Sequence, residues 1–440
     1  MNANDDLPHA LVESLDHEGR GVAHIEGKTI FIEGALPGES IQYRPTRKKS
    51  SFETGKLEQI VRESAQRIKP LCRFFDNCGG CAMQHATQGL QVAAKQRGLE
   101  DNLARIGKVM PESILPPIYG KEWEYRHRAR LSVHYVAKKG GVLVGFREKR
   151  SSYVADMASC EVLAGGMGRL ITPLRELIST LDKRERVPQI EMAVGERVTV
   201  LVLRELEPFS PADEVKLKAF ADLHRIQWWV QKKGPETAMP WYPLEAPLLT
   251  YRLPEFSLEL NFRPTEFTQV NFAVNSLMVK RAIDLLQPLP GEKVVDLFCG
   301  LGNFSLAIAS RGAQVVGVEG SPELVKRAAE NASHNGLETR AQFFAADLYT
   351  HHAEAMARVP QVTKMLIDPP RDGAAEVCKL LGADVRPELT RIVYVSCNPA
   401  TLARDAAILV HTQRFALKAA GIVNMFPHTT HVESIAVFER

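Results

Sequence analysis

The stretch "VVDLFCGLGNFSLAI", residues 294–308, passes from an apolar strand through a glycine turn into an apolar helix. Gly300 and Gly302 allow a tight turn and let backbone N–H groups approach a ligand at the N-terminus of the following helix. Ser305 stands where a dinucleotide-binding fingerprint has its third glycine. A pyrophosphate is therefore less favoured than a ligand without phosphates.

Outward from this turn, strands are expected at 293–298, 314–319, 341–346, 364–367, 391–396, 413–423 and 432–439, with helical stretches between most of them. That alternation predicts an α/β fold: a doubly wound, mainly parallel, Rossmann-like sheet. A helix over 321–335 has Ser321 as N-cap, Pro322 at its first position and Gly336 past its end. Glu319 ends the second strand, where an acidic side chain takes ribose hydroxyls. Asp347 ends the third, placed to accept from an adenine amino group. Three phased positions on one sheet edge point to S-adenosylmethionine.

The same edge carries "LIDPPRDG", 366–373, a rigid loop suited to lining a flat base pocket, and "RIVYVSCNPATLARD", 391–405, which ends a strand on Cys397. A lone cysteine is more often a small core residue; beside Asp368 the reactive reading is favoured. Carbon 5 of a pyrimidine is a poor nucleophile, and a thiolate adding to carbon 6 makes it reactive. The C5 proton must then leave to a base. In "FPHTTHVESIAVF", 426–438, Glu433 is the candidate, with His428 and His431 close in sequence.

Upstream, residues 8–64 read as short strands separated by turn signals, a small antiparallel barrel. Its loop "RPTRKKSSF" sets Arg47 and Lys48 among rings that suit single-stranded nucleic acid, with a solvated loop equally compatible. A helix is expected over 83–107, and the rest of 120–262 reads as strands with one helical insertion near 164–182. Residues 121–150 hold nine Lys/Arg, Lys138 and Lys139 among them, against three Glu. Arg126, Arg128 and Arg130 there fall on one side of a strand, a stripe for phosphates or a solvated face. "CRFFDNCGGC" and "MASCEVL" supply Cys72, Cys78, Cys81 and Cys160. Four thiolates suit an iron–sulfur cluster; zinc, with Cys81 and His85, is an equal rival on spacing alone.

At 440 residues, 45% hydrophobic and 24% charged, the chain has the composition of a soluble protein of two or three domains. The acidic start "MNANDDLPHA" and the lack of a long apolar run lead us to expect a cytoplasmic protein with no membrane partner. The net charge of +3 names no partner.

Taken together, "CGLGNFS", "DPPRDG", "VSCNPATLARD", "HVE" and "FTQVN" at 267–271 resemble the bacterial RNA uracil-5-methyltransferases. The resemblance implies that Gln269, Phe298, Asn303, Glu319, Asp347 and Asp368 contact S-adenosylmethionine, that Cys397 is the nucleophile and Glu433 the base, and that Phe267 stacks near a flipped uracil. The cysteine set and a TRAM-like barrel are similar to the branch acting on 23S ribosomal RNA, which implies a 4Fe–4S cluster on Cys72, Cys78, Cys81 and Cys160. The expected domains are then 1–66, an OB-like TRAM barrel; 67–265, an α+β domain with the cluster; and 266–440, the methyltransferase. We expect a monomer. Cytosine-5 methylation shares the cysteine chemistry, and an RNA-binding assembly factor could keep the fold without it. A radical methylthiotransferase would need a different cysteine spacing and a β/α barrel.

Overall fold

A computed structural model describes residues 7–137 and 141–440; Lys138 and Lys139 lie outside them. The N-terminal unit is a six-stranded barrel-like sheet between His9 and Arg62. Val12, Ala23, Ile30, Ile32, Ile41 and Tyr43 fill it. It is not wholly antiparallel: Lys28–Glu33 runs parallel to Phe52–Arg62. The expected loop is largely sheet, because Ser40–Lys48 continues its pairing with Phe52–Arg62 as far as Lys48 opposite Glu53. Gly55 is required there, since a Cβ would meet the Tyr43 ring at 2.4 Å.

The middle unit has a six-stranded sheet, in the order Met239–Tyr242, Ile226–Gln231, Thr199–Arg204, Gln189–Val194, Arg128–Val136, Gly141–Gly145. Two helices, Ile171–Thr180 and Pro211–His224, cover one face with Leu174, Ile178, Leu217 and Phe220. The second helix departs from the expectation of one helical insertion; Ser210 caps it and Pro211 opens it, signals hidden by the strands on either side. The other sheet face, through Ala193, Val200 and Val202, joins the catalytic core.

In the C-terminal unit, strands β1 (Lys293–Leu297), β2 (Gln314–Glu319), β3 (Ala341–Ala345), β4 (Lys364–Ile367), β5 (Arg391–Ser396), β6 (Ala416–Val423) and β7 (Glu433–Glu439) lie in the order 3-2-1-4-5-7-6. β1 to β5 are parallel, and β7 is antiparallel to both neighbours. Successive residues face opposite ways, so Val294 and Val393 enter one core while Val295 and Ile392 enter the other. The hairpin Leu249–Leu253/Leu258–Phe262 also packs into the first core, upstream of the domain boundary expected at 265.

Helix α1 (Gln88–Asn102) is shorter than the expected 83–107, because Thr87 caps its start and a π turn occupies Leu103–Gly107. It packs Val92 and Leu99 into the second core, the one that Val295 and Ile392 enter. Its buried face also holds Gln91 and Lys95, whereas the apolar Leu90, Ala93 and Ala94 are half-buried or exposed.

Candidate active site

β1 ends on Leu297, and the chain turns at once: Phe298 has φ +63° and Gly302 φ +97°. Glu319 at the end of β2 supports this turn from below, its carboxylate accepting from Gly300 N–H and Ser321 N–H, each at 3.0 Å. Ser305 hydrogen-bonds Asp296 at 2.5 Å, which gives a reason for serine where a dinucleotide site has glycine. Burial pushes the Asp296 carboxyl up to about 7.

The other expected cofactor contacts converge on the same place. Gln269, Phe298, Asn303, Glu319, Asp347 and Asp368 all line one cavity of about 1870 Å³. Besides Glu319, two of them are already engaged. Asn303 exchanges hydrogen bonds with Asn275 and accepts from the Tyr251 hydroxyl. Asp347 accepts from Tyr349 and Thr350 N–H, which hold its carboxyl down to about 2.

Asp368, Cys397 and Glu433 line the cavity together. Asn398 caps the helix that follows Cys397, with Pro399 at its first position, and its amide donates to the Arg371 carbonyl at 3.2 Å. The Asp-Pro-Pro loop is thereby tied to the cysteine turn. The electrostatics are those of crowded acids opposed by Arg371. Burial first, then Glu433 and Asp368, push the Cys397 thiol up to about 12 against the pull of Arg371. Burial and Asp368 push Glu433 well up, again against Arg371, and burial with Asp296 pushes Asp368 up to about 8. A bound cation would relieve all three. His431 lies 3.9 Å from Glu433, and burial pushes it down to about 4, so it is neutral near pH 7.

The cavity continues toward the N-terminal sheet, where His17, His24 and Phe31 line it with Arg97 and Arg105 beside α1, residues that reading the sequence did not single out. Phe267 lines it too and is 67% exposed, free to meet a large substrate. The three arginines do not form an open stripe. Arg126 lines the cavity, Arg128 is half-buried and donates to the Pro264 and Glu266 carbonyls, and Arg130 pairs with Glu191. Their alternation breaks because Arg126 precedes the strand, which begins at Arg128. Arg47 and Lys48 are exposed.

Cys72, Cys78, Cys81 and Cys160 surround a separate cavity of about 30 Å³, which Arg126 also lines. Burial pushes every one of these thiols up, Cys81 to about 11 and Cys160 to about 12, and neighbouring thiols add to the shift at Cys78, Cys81 and Cys160. Among the described residues no group of three or more His, Cys, Asp or Glu side chains is arranged to hold a metal ion. His85 does not line this cavity; it is buried near Phe75 with both ring nitrogens unpartnered.

The strand order, the glycine turn backed by Glu319 and the acid-lined cavity define a Rossmann-like S-adenosylmethionine-dependent methyltransferase. Comparison with known proteins resolves the class further. Residues 253–440 match the family model described as tRNA (Uracil-5-)-methyltransferase, and residues 9–42 match the TRAM domain. A protein of Nitrosospira multiformis named 23S rRNA (uracil(1939)-C(5))-methyltransferase RlmD is 58% identical over 431 residues, 98% of each chain. Its namesake in Thiobacillus denitrificans is 58% identical over 433 residues, 98% of this chain and all of that one. The Pyrococcus abyssi tRNA (uracil-54, C5)-methyltransferase, solved with S-adenosyl-L-homocysteine, superposes with a TM-score of 0.72 over 98% of this chain and 99% of that one; at 23% identity it speaks to the fold. The chain belongs to the family of 23S rRNA (uracil-C(5))-methyltransferases, enzymes that use S-adenosylmethionine.

Proposed function

We propose that this chain methylates carbon 5 of one uridine in 23S ribosomal RNA, at the position equivalent to the 1939 in its relatives' names, and that it acts as a cytoplasmic monomer. The observation that carries the reading is the meeting of Cys397, Asp368 and Glu433 at one cavity wall beside the glycine turn. When bound, S-adenosylmethionine supplies a methyl group on a sulfonium. Its positive charge suits a cavity where burial and neighbouring carboxylates hold three acids up, and Glu319, Asp347, Asp368, Phe298, Gln269 and Asn303 would hold it. The Cys397 thiolate adds to C6 of the flipped uracil, and electron density moves to C5, which takes the methyl. Glu433 then removes the C5 proton, the C5=C6 double bond re-forms and the thiolate leaves. Flipping costs about a few kcal/mol, offset by RNA contacts along the cavity, where Phe267, Arg126, Arg47 and Lys48 are the candidates. Transfer of tritiated methyl to 23S transcripts tests this; label found on cytidine, or none, would overturn it.

The four thiols form the better fit to a 4Fe–4S cluster. They surround one cavity, and clustered buried thiols that resist ionisation are what a multivalent cation compensates. His85 stands apart from the cavity, which disfavours a zinc site with Cys81. The cluster would be structural, since the methyl transfer needs no redox step. Anaerobically purified protein should carry about four irons and four sulfides per chain, and one zinc instead would refute the assignment. Stable, RNA-binding but inactive Cys78→Ser would count against a purely structural role.

A further inference from the structure

Glu433 opens β7 opposite Val423, the last residue of β6. The intervening turn, residues 424–432, leads directly into it. From outside the catalytic domain, Lys95 of α1 reaches into that turn: 5% exposed, it donates from Nζ to Asn424 Oδ1 at 2.7 Å and to the Phe426 carbonyl at 2.9 Å. Among the described residues, its acceptors are these two neutral oxygens and no carboxylate pairs with it. An ammonium buried against two neutral acceptors is costly unless they are worth holding.

Most of the turn's remaining long-range bonds run to the same segment of chain. The Tyr125 hydroxyl donates to the Pro427 carbonyl at 3.0 Å. His428 N–H donates to Gln91 Oε1 at 2.7 Å, and its carbonyl accepts from Ala82 and Met83 N–H at 2.8 and 2.9 Å. Its ring stacks on Trp123 at 4.0 Å. His428 has φ +66°, a conformation that side-chain-bearing residues rarely adopt and that persists where surroundings over-determine it.

The geometry points to Lys95, with Tyr125, as positioning residues for the catalytic base: residues 82–125 clamp the β6–β7 turn and so aim Glu433. The inference rests on the proposed function. Its consequence is specific to one step. Attack by Cys397 and methyl transfer precede proton removal, so a misaimed Glu433 leaves the enzyme covalently joined to methylated RNA.

The test uses the full chain, unmodified uridine RNA and S-adenosylmethionine, with denaturing gels to count protein–RNA adduct. Glu433→Gln should accumulate adduct and calibrates the readout. Lys95→Met should show about tenfold more adduct than wild type and about tenfold lower kcat, with KM for RNA and S-adenosylmethionine affinity within about twofold. Tyr125→Phe, which removes only a hydroxyl, should change in the same direction and serves if Lys95→Met does not fold. Slow turnover without adduct, or a raised KM alone, would overturn the inference and make Lys95 a substrate contact or a packing residue. Failure of Glu433→Gln to trap adduct, while wild type methylates, would remove the base assignment beneath it. Absence of methylation in wild type would sink the proposed function instead.

Discussion

Cys397 and Glu433 meet at the junction of β5 and β7. Ser396 pairs with Ser434 in antiparallel register, and the cysteine and the glutamate each lie one residue beyond that last pair, close enough for Glu433 to push the thiol up. Nucleophile and base thus come from neighbouring strands, where strand geometry holds the distance between them better than two loops would. The antiparallel β7 is what makes this possible. In a wholly parallel sheet, residue 433 at a strand's start would lie at the far edge from residue 397 at a strand's end.

The raised carboxyls fix a sign for stability. Asp368 and Asp296 are pushed from 3.8 to about 8 and about 7. The folded chain holds protons there that the unfolded chain has lost, so their stabilising contribution is full below the ordinary aspartate value and is lost as pH rises through about 7 to 8. Asp368→Asn should therefore flatten the fall in melting temperature of the ligand-free protein between about pH 5 and pH 9. Parallel curves for wild type and variant would show that Asp368 is ordinary.

The reaction needs Cys397 and Glu433 ionised, and both are pushed up by burial and by each other's charge or that of Asp368. Single-turnover methylation should rise with pH across neutrality at saturating S-adenosylmethionine. A rate that falls over this range would mean that a protonated group limits it.

Gly168 lies against the backbone of Cys160: a Cβ at that position would come within 1.9 Å of the Cys160 carbonyl oxygen. Gly168→Ala must displace that backbone, at a cost of about 3 kcal/mol in overall stability. Iron content should fall with it. Chemical denaturation and iron analysis on the same preparation check both, and an unchanged midpoint would mean that the loop yields.

Arg47 and Lys48 stand exposed on the N-terminal sheet. If both neutralise phosphates of single-stranded RNA, replacing them with alanine should lower the slope of log affinity against log salt by about 1.4. An unchanged slope, measured by filter binding, would return them to a solvated surface.

The catalytic sheet was legible because parallel strands buried on both faces announce themselves as apolar runs, and because Ser321, Pro322 and Gly336 end and begin elements by local chemistry. Cys397 and Glu433 could be named since each sits where a strand meets a breaker. What sequence periodicity could not show was the polar face of α1. Gln91 and Lys95, four residues apart, share a helix face, yet their partners in the turn, His428, Asn424 and Phe426, lie more than 300 residues away, beyond the reach of any local pattern. The arginine stripe failed for a similar reason. Alternation predicts the side of a strand, but the carbonyls of Pro264 and Glu266 determine where Arg128 is held. The helix Pro211–His224 carried legible caps that the surrounding strand pattern obscured.

The central claim, attack by Cys397 on a uracil prepared for methylation, is tested most directly with 23S RNA carrying 5-fluorouridine and tritiated S-adenosylmethionine. Fluorine at C5 cannot leave as a proton, so the cysteine–uracil intermediate should persist as a radioactive, denaturant-resistant protein–RNA adduct that Cys397→Ala abolishes while S-adenosylmethionine still binds. No adduct from wild-type protein that binds S-adenosylmethionine normally, or an adduct that survives in Cys397→Ala, would contradict the account.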